Sequence, residues 1–343
     1  MVKKIWGSYF NGLTFCIINK SILKNNRVIY IKNTYICRKI EVMEYIFKGE
    51  NILEFMKQFP DDNTCLEVLS NLKWSEGFKC RKCGHTKYCT TRKPFHRECT
   101  SCHISESPTA HTLFHKVKFG VQKAFCIVFE LSCTTKGIST LQLAKRYGIT
   151  QKTAWLFTQK VKISMKSSKA HPLLGDVQVD EFVIGGKETG KQGRSYDTKK
   201  AKVVCAIELT KEGKIKRGYA KVIEDYSAKS ILPIFDEHIS KEANIKTDKW
   251  TAYTKIAKEY PNLKQEISQP TVNFKQINNI IQQLKSGLRT IQTHVSKHHL
   301  QKYLNEYFYR LNRSIYKETI FDNLIKRMIN HEWVGWKLIV APK

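Results

Sequence analysis

Two aspartates occupy positions where a carboxylate is costly unless something uses it. Asp180 interrupts the apolar run VQVDEFVI (177–184), and Asp248 closes NIKTD (244–248) directly before a helical stretch. An acid inside an apolar strand must be solvated in a cleft, paired, or bound to metal. The carboxyl edge of an open sheet is where ligands collect, and two such acids converge there if their strands are neighbours. Convergent carboxylates suit Mg2+ or Mn2+, which take oxygen ligands and leave room for water and phosphate. Two such ions ~3.5–4 Å apart can activate a nucleophile and stabilise a leaving oxygen in phosphodiester chemistry. Either aspartate taken alone reads as a strand-end acid or a helix cap.

The segment 275–291 adds to the pair. Ile277, Ile280, Ile281, Leu284, Leu288 and Ile291 form one apolar stripe at helical spacing. Asn278 and Lys285 stand seven residues apart, nearly two turns, so both project alike from the margin of that stripe. Chemically this offers an amide to a metal and an ammonium to a phosphate; the plain alternative is two polar residues on a helix flank. Glu306 is the only acid between Asn273 and Lys317, against eight Lys or Arg. It flanks a helix whose apolar face is Leu300, Tyr303, Leu304, Tyr307, Phe308 and Leu311. It can supplement Asn278 at a metal, or pair with Arg310 or Arg313.

A second chemistry lies upstream. Cys80 and Cys83 are followed, after fifteen residues, by Cys99 and Cys102. Two Cys-x-x-Cys knuckles at this separation match a four-thiolate zinc ribbon. Four protein ligands leave no open position, so such a zinc would be structural. The competing reading is chance cysteines or a redox pair. Cys16, Cys37, Cys65, Cys89, Cys126, Cys133 and Cys205 show no pairing pattern and read as buried or incidental thiols.

The elements that must position these groups fall in two blocks. From 173 onward, VQVDEFVI, AKVVCAIEL (201–209) and KRGYAKVIE (216–224) read as three strands, joined by the Gly- and Lys-rich loop 185–200 and the turn at Gly213. Ser227 can cap a helix through SAKSILPIFDEHI. A short strand NIKTD, a helix TAYTKIAKEY, a strand near LKQEIS and two helices to about 313 complete the block. This is an α/β fold, a mixed sheet with flanking helices.

Upstream, a helical segment (43–76) and the ribbon (77–108) precede a helical basic region (117–168). Within 137–165, a short helix ends at Gly148 and Thr150 can cap a second, which is helix-turn-helix grammar. Gln151, Lys152 and Thr153 then fall at the end of the second helix that reaches base edges. Residues 111–170 hold eleven Lys or Arg and one acid, Glu130. Two packed helices with a solvated basic face would share the pattern. Residues 1–42, Asn- and Lys-rich without a clear period, read as an atypical extension consistent with a start assigned too far upstream. Residues 316–343 read as a tail.

Charge narrows the partners. The 343 residues carry 59 Lys or Arg against 30 acids, a net charge of +29. That balance favours a polyanion, chiefly nucleic acid, over an anionic membrane surface. The most apolar run, Val121 to Cys133, is shorter than the ~20 residues of a membrane span. The opening MVKKIWGSYF makes a poor signal peptide. Eleven cysteines without a secretion signal point to a reducing compartment.

From about residue 45 to 315 the chain resembles the ISXO-like insertion-sequence transposases, relatives of the Merlin transposases. The likeness rests on GFKCRKCGHTKYC with ECTSC, then LQLAKRYGITQKTAW, VQVDEFVIGGK, IKTDKWTAY, LKSGLRT and HVSKHHLQKYLNEYFYRLNRS, in family order. The resemblance implies a DDE-type recombinase on an RNase H-like sheet (173–315), with Asp180 and Asp248 as the first two ligands of catalytic Mg2+ or Mn2+. It places Asn278 where relatives carry Glu or Asn, and Lys285 seven residues on; Ile281 stands where many relatives carry Trp. Implied too are double-stranded DNA partners, namely inverted-repeat ends and target DNA, and a homodimer or larger assembly for synapsis. Lys187, Lys191, Arg194 and Arg289 are the expected backbone grips. The host would decide the compartment: the nucleoid-associated cytoplasm of a bacterium or a eukaryotic nucleus. The alternatives are a catalytically inactive DNA-binding regulator and a structure-directed nuclease without strand transfer.

Overall fold

The structure, a computed structural model, describes residues 45–48, 51–134, 136–186, 188, 198–269, 272–292 and 295–341. The chain divides into Met1–Ile46 and Phe47–Lys343. The expected extension, residues 1–42, lies outside the described residues, and everything below concerns the second unit.

The helical segment (43–76) holds two helices, α1 (Ile52–Gln58) and α2 (Asp62–Lys73). Pro60 cannot donate to a continuing helix, and Asp61 starts a new one by accepting from the Thr64 N–H at 2.8 Å. The ribbon follows as three short antiparallel strands, β1 (Tyr88–Thr90), β2 (Arg97–Cys99) and β3 (Ser105–Glu106). The Lys73 ammonium, at the end of α2, ties the ribbon down through Glu106 at 2.6 Å and the carbonyls of Ser107 and Ala110. The Arg97 guanidinium lies over both the Trp74 and Tyr88 rings, at 4.4 and 4.2 Å.

Three helices make up the basic region: α3 (Val121–Cys133), α4 (Thr140–Tyr147) and α5 (Gln151–Ser164). Ser139 caps α4, Gly148 ends it at φ +60°, and Thr150 caps α5. A left-handed residue costs glycine nothing and others strain. From Phe157 to Val161 every residue of α5 is buried, so only its first turns face outward.

The α/β block is a five-stranded sheet of order β6-β5-β4-β7-β8, formed by β4 (Asp176–Ile184), β5 (Ala201–Leu209), β6 (Ile215–Ile223), β7 (Asn244–Thr247) and β8 (Leu263–Gln265). β4, β5 and β6 pair antiparallel; β7 runs parallel to β4 and β8 parallel to β7. One face, with Val177, Val179 and Val204, is covered by α6 (Ala228–His238) and α7 (Thr251–Ile256). The other, with Phe182, Val203 and Cys205, is covered by α8 (Lys275–Ile291) and α9 (Lys297–Leu311). Helices on both faces of a mixed sheet of this order are consistent with the RNase H-like fold expected from sequence.

Residues 316–343 are not a tail. They hold α10 (Ile320–Asn330) and α11 (Trp336–Val340). Phe321 of α10 enters an aromatic cluster with Phe47, Phe55, Phe59, Phe125 and Phe129, at ring separations from 5.1 to 6.3 Å. The Phe47 N–H donates to Asp322 at 2.9 Å, and the Leu113 N–H to the Met328 carbonyl at 3.1 Å. The apolar positions of α10 thus complete the N-terminal helical core. Among the described residues no helix is long and apolar enough to cross a membrane.

Candidate functional site

Strand register brings the two aspartates together. β4 and β7 run parallel with Val179 opposite Thr247, so Asp180 comes next on β4 and Asp248 directly follows the end of β7. Asp180 accepts from the Glu181 N–H at 2.8 Å, and Asp248 from the Trp250 N–H at 3.1 Å, fixing it at the entry to α7. Alternation sends Val177 and Val179 to one core and Phe182 to the other.

Glu181 joins them. One carboxylate oxygen from each of Asp180, Glu181 and Asp248 lies within 4.8 Å of the others, and all three residues are half-buried. Nothing in the sequence ranked Glu181 above its neighbours. Its one signal was a second acid inside an otherwise apolar strand. Three converging carboxylates repel one another in a half-buried edge unless a cation neutralises them, so the donor set suits a hard divalent ion.

α8 is anchored beside this cluster by Gln178, two residues before Asp180. Its Nε2 donates to the Asn273 carbonyl at 3.0 Å, and its Oε1 accepts from the Ile277 N–H at 3.3 Å. Asn278, next in the helix, donates its Nδ2 to the Phe274 carbonyl at 2.9 Å. Only its Oδ1 is therefore left as a ligand atom. The Lys285 ammonium lies 5.3 Å from the Phe182 ring. Burial lowers the Lys285 pKa, opposed by the charge of Asp180. Ile281 is buried in the sheet-facing stripe. Arg289 is exposed toward the end of the same helix.

Glu306 needs correcting. It stands buried on α9, 3.2 Å from the Lys162 ammonium and 2.8 Å from Arg310. Burial alone would raise its carboxyl, but the two cations outweigh it and hold it below the ordinary range. The metal-supplementing reading fails because the carboxylate is spent on a seam between α5 and α9. Arg313, the other suggested partner, instead packs on the Tyr309 ring at 3.8 Å.

In the ribbon, Cys80 Sγ lies 3.5 Å from Cys102 Sγ, and Cys83 Sγ 3.5 Å from Cys99 Sγ. All four sulfurs fall within 4.8 Å of one another. Zn–S bonds of about 2.3 Å in a tetrahedron set sulfurs about 3.8 Å apart, so the cluster has the dimensions of a zinc site. Each knuckle turns back at a positive φ, +75° at Gly84 and +54° at His103. The Cys83 backbone N–H is the main reason the Cys80 thiol falls to about 6, which favours the ligating thiolate.

At the exposed start of α5, Gln151 and Lys152 face solvent and Thr153 is half-buried. The Lys152 ammonium lies 4.9 Å from the Trp336 ring of α11. Lys187, Lys191 and Arg194 lie outside the described residues.

The fold and its sites define an α/β domain with a carboxylate cluster at its sheet edge, joined to a four-cysteine ribbon and a basic helical region. Residues 172–312 match the ISXO2-like transposase domain, and residues 60–105 match the transposase zinc-ribbon domain. Two domain matches of one family, in order on one chain, support an IS1595-family transposase. No curated protein matches the chain.

Proposed function

We propose that this transposase binds the inverted-repeat ends of its own element, cuts them and joins them to target DNA. The observation that carries the reading is the carboxylate trio Asp180, Glu181 and Asp248 at the sheet edge of an ISXO2-like domain. Mg2+ or Mn2+ held there would supply an activated water or 3′-hydroxyl and offset charge on the phosphoryl oxygens. Asp180 and Asp248 hold the cation, and Glu181 adds the third carboxylate. Asn278 contributes its amide oxygen, which brings no charge and so makes the acid from β4 the more important. Lys285, beside Asp180, orients a phosphate of the scissile strand.

In this reading, Zn2+ on Cys80, Cys83, Cys99 and Cys102 holds the reader (77–108) in shape and takes no part in the chemistry. Gln151, Lys152 and Thr153 of the helix-turn-helix (117–168) meet base edges. Lys187, Lys191, Arg194 and Arg289 grip backbone from the catalytic domain (173–315), and two copies hold two ends. The test is cleavage of the gene's flanking inverted repeats by the wild type, Asp180→Ala and Asp248→Ala. End binding should survive in both variants while metal-dependent cleavage falls by about 10²–10³-fold or more. Wild-type protein that binds the ends but never cuts them would leave a DNA-binding regulator. Cut ends that never join a plasmid would leave a nuclease.

A further inference from the structure

Beside the helix-turn-helix, and apart from the carboxylate site, lies a cleft of ≈ 480 Å³. That falls within the range of about 300–1,000 Å³ typical of small-ligand sites. Its walls include Phe119, Leu156 and Phe157, its rim Lys116 and Lys118, and Gly148 and Thr150 of the turn border it. Phe119 and Phe157 meet edge to face at 5.5 Å. Lys160 also lines the cleft and is only 6% exposed. Its ammonium donates to the His115 carbonyl at 3.1 Å, and among the described residues it forms no ion pair. Burial lowers its pKa to about 8, so the cation is costly and gains from an anion. Among the described residues no acid lines the cleft.

These features select the occupant. A neutral apolar ligand would leave the ammonium uncompensated, and a small inorganic anion would leave the aromatic walls uncovered. A nucleotide supplies both a phosphate and a flat apolar base. A base stacked in an intact duplex cannot enter the cleft, whereas a nucleotide swung out of the stack can, with its phosphate carried toward the lysines. Since the turn borders the cleft, DNA held at the start of α5 would pass its mouth. We propose that the cleft formed by Lys116, Lys118, Phe119, Leu156 and Lys160 captures one unpaired nucleotide of the bound DNA. The proposal rests on the DNA-binding reading above.

The test is fluorescence anisotropy of full-length, zinc-loaded protein with two labelled duplexes, one fully paired and one identical but carrying a single unpaired thymidine. The wild type should bind the bulged duplex about tenfold tighter, a difference of 1.4 kcal/mol. Leu156→Trp, which fills the cleft from its half-buried wall, should abolish that preference while keeping paired-duplex affinity and melting temperature. Lys160→Met should weaken the preference in the same direction. Equal wild-type affinities, or a preference surviving in Leu156→Trp, would overturn the proposal with the DNA-binding reading intact. So would thermal stabilisation by free thymidine monophosphate without any bulge preference. Failure to bind either duplex would sink the DNA-binding reading itself.

Discussion

Glu181 and Glu306 are both acids in half- or fully buried surroundings, and their neighbours give them opposite roles. Glu181 lies among like charges, whereas Glu306 lies between Lys162 and Arg310. Glu306→Gln should cost about 3–5 kcal/mol, because it leaves the nearly fully buried Lys162 without its counter-charge; thermal or urea unfolding would measure it. Its folded carboxyl is depressed, so its stabilisation is full above the unfolded carboxyl range and is lost as pH falls through the folded value. Glu181→Gln should instead leave unfolding nearly unchanged and raise the Mg2+ concentration needed for cleavage by about 10–100-fold, a loss of the size seen when metal-site partners are removed. Unchanged metal dependence would remove Glu181 from the site. Sequence made Asp180 legible because it broke an apolar run, and Asp248 because it closed a short strand directly before a helix. Glu306 was also conspicuous, as a lone acid in a basic stretch, but its partner Lys162 lies more than a hundred residues upstream and no local pattern joins them.

Elements carried the sequence signal best where backbone chemistry is local. Gly148, Thr150 and Ser227 fell at helix boundaries as their types required. What stayed hidden was contact between elements, as in Gln178, an ordinary strand residue until α8 lies across it. Gln178→Leu should lower cleavage about tenfold with end binding retained, since a small misplacement of α8 displaces Asn278 and Lys285 together; equal cleavage by the variant would show that α8 is held by packing alone. A second prediction belongs to α6. His238, stacked on Tyr219 at 4.0 Å, has its pKa lowered to about 4 by burial. The unfolded chain, with histidine near its ordinary ~6.5, binds the proton first. Stability is therefore full above about 6.5 and declines as pH falls toward about 4. His238→Phe should flatten unfolding free energy across that window, and an unchanged slope would exclude His238 as its source.

At the scale of the whole molecule, the reading and cutting modules share α5. Gln159 donates to the Tyr303 hydroxyl at 3.2 Å, and the Lys162 ammonium sits 3.5 Å from the Tyr303 ring. The helix whose first turns face solvent is thus seated on the helix that covers the α/β sheet. Removing zinc with a chelator should unfold the ribbon and abolish end binding, yet leave α/β melting largely in place because the sheet carries its own two cores. Phe321→Ala should cost about 3–5 kcal/mol, lost from the N-terminal helical core although the change lies near the other end of the sequence. Calorimetry should place that loss in the reader's transition. The reader's core draws on α10, which follows the whole nuclease in the chain. A ribosome must therefore deliver the α/β domain before the N-terminal helical module, the reader of the proposed function, can close. Nascent or prematurely stopped chains would be unable to occupy element ends without carrying a nuclease with them.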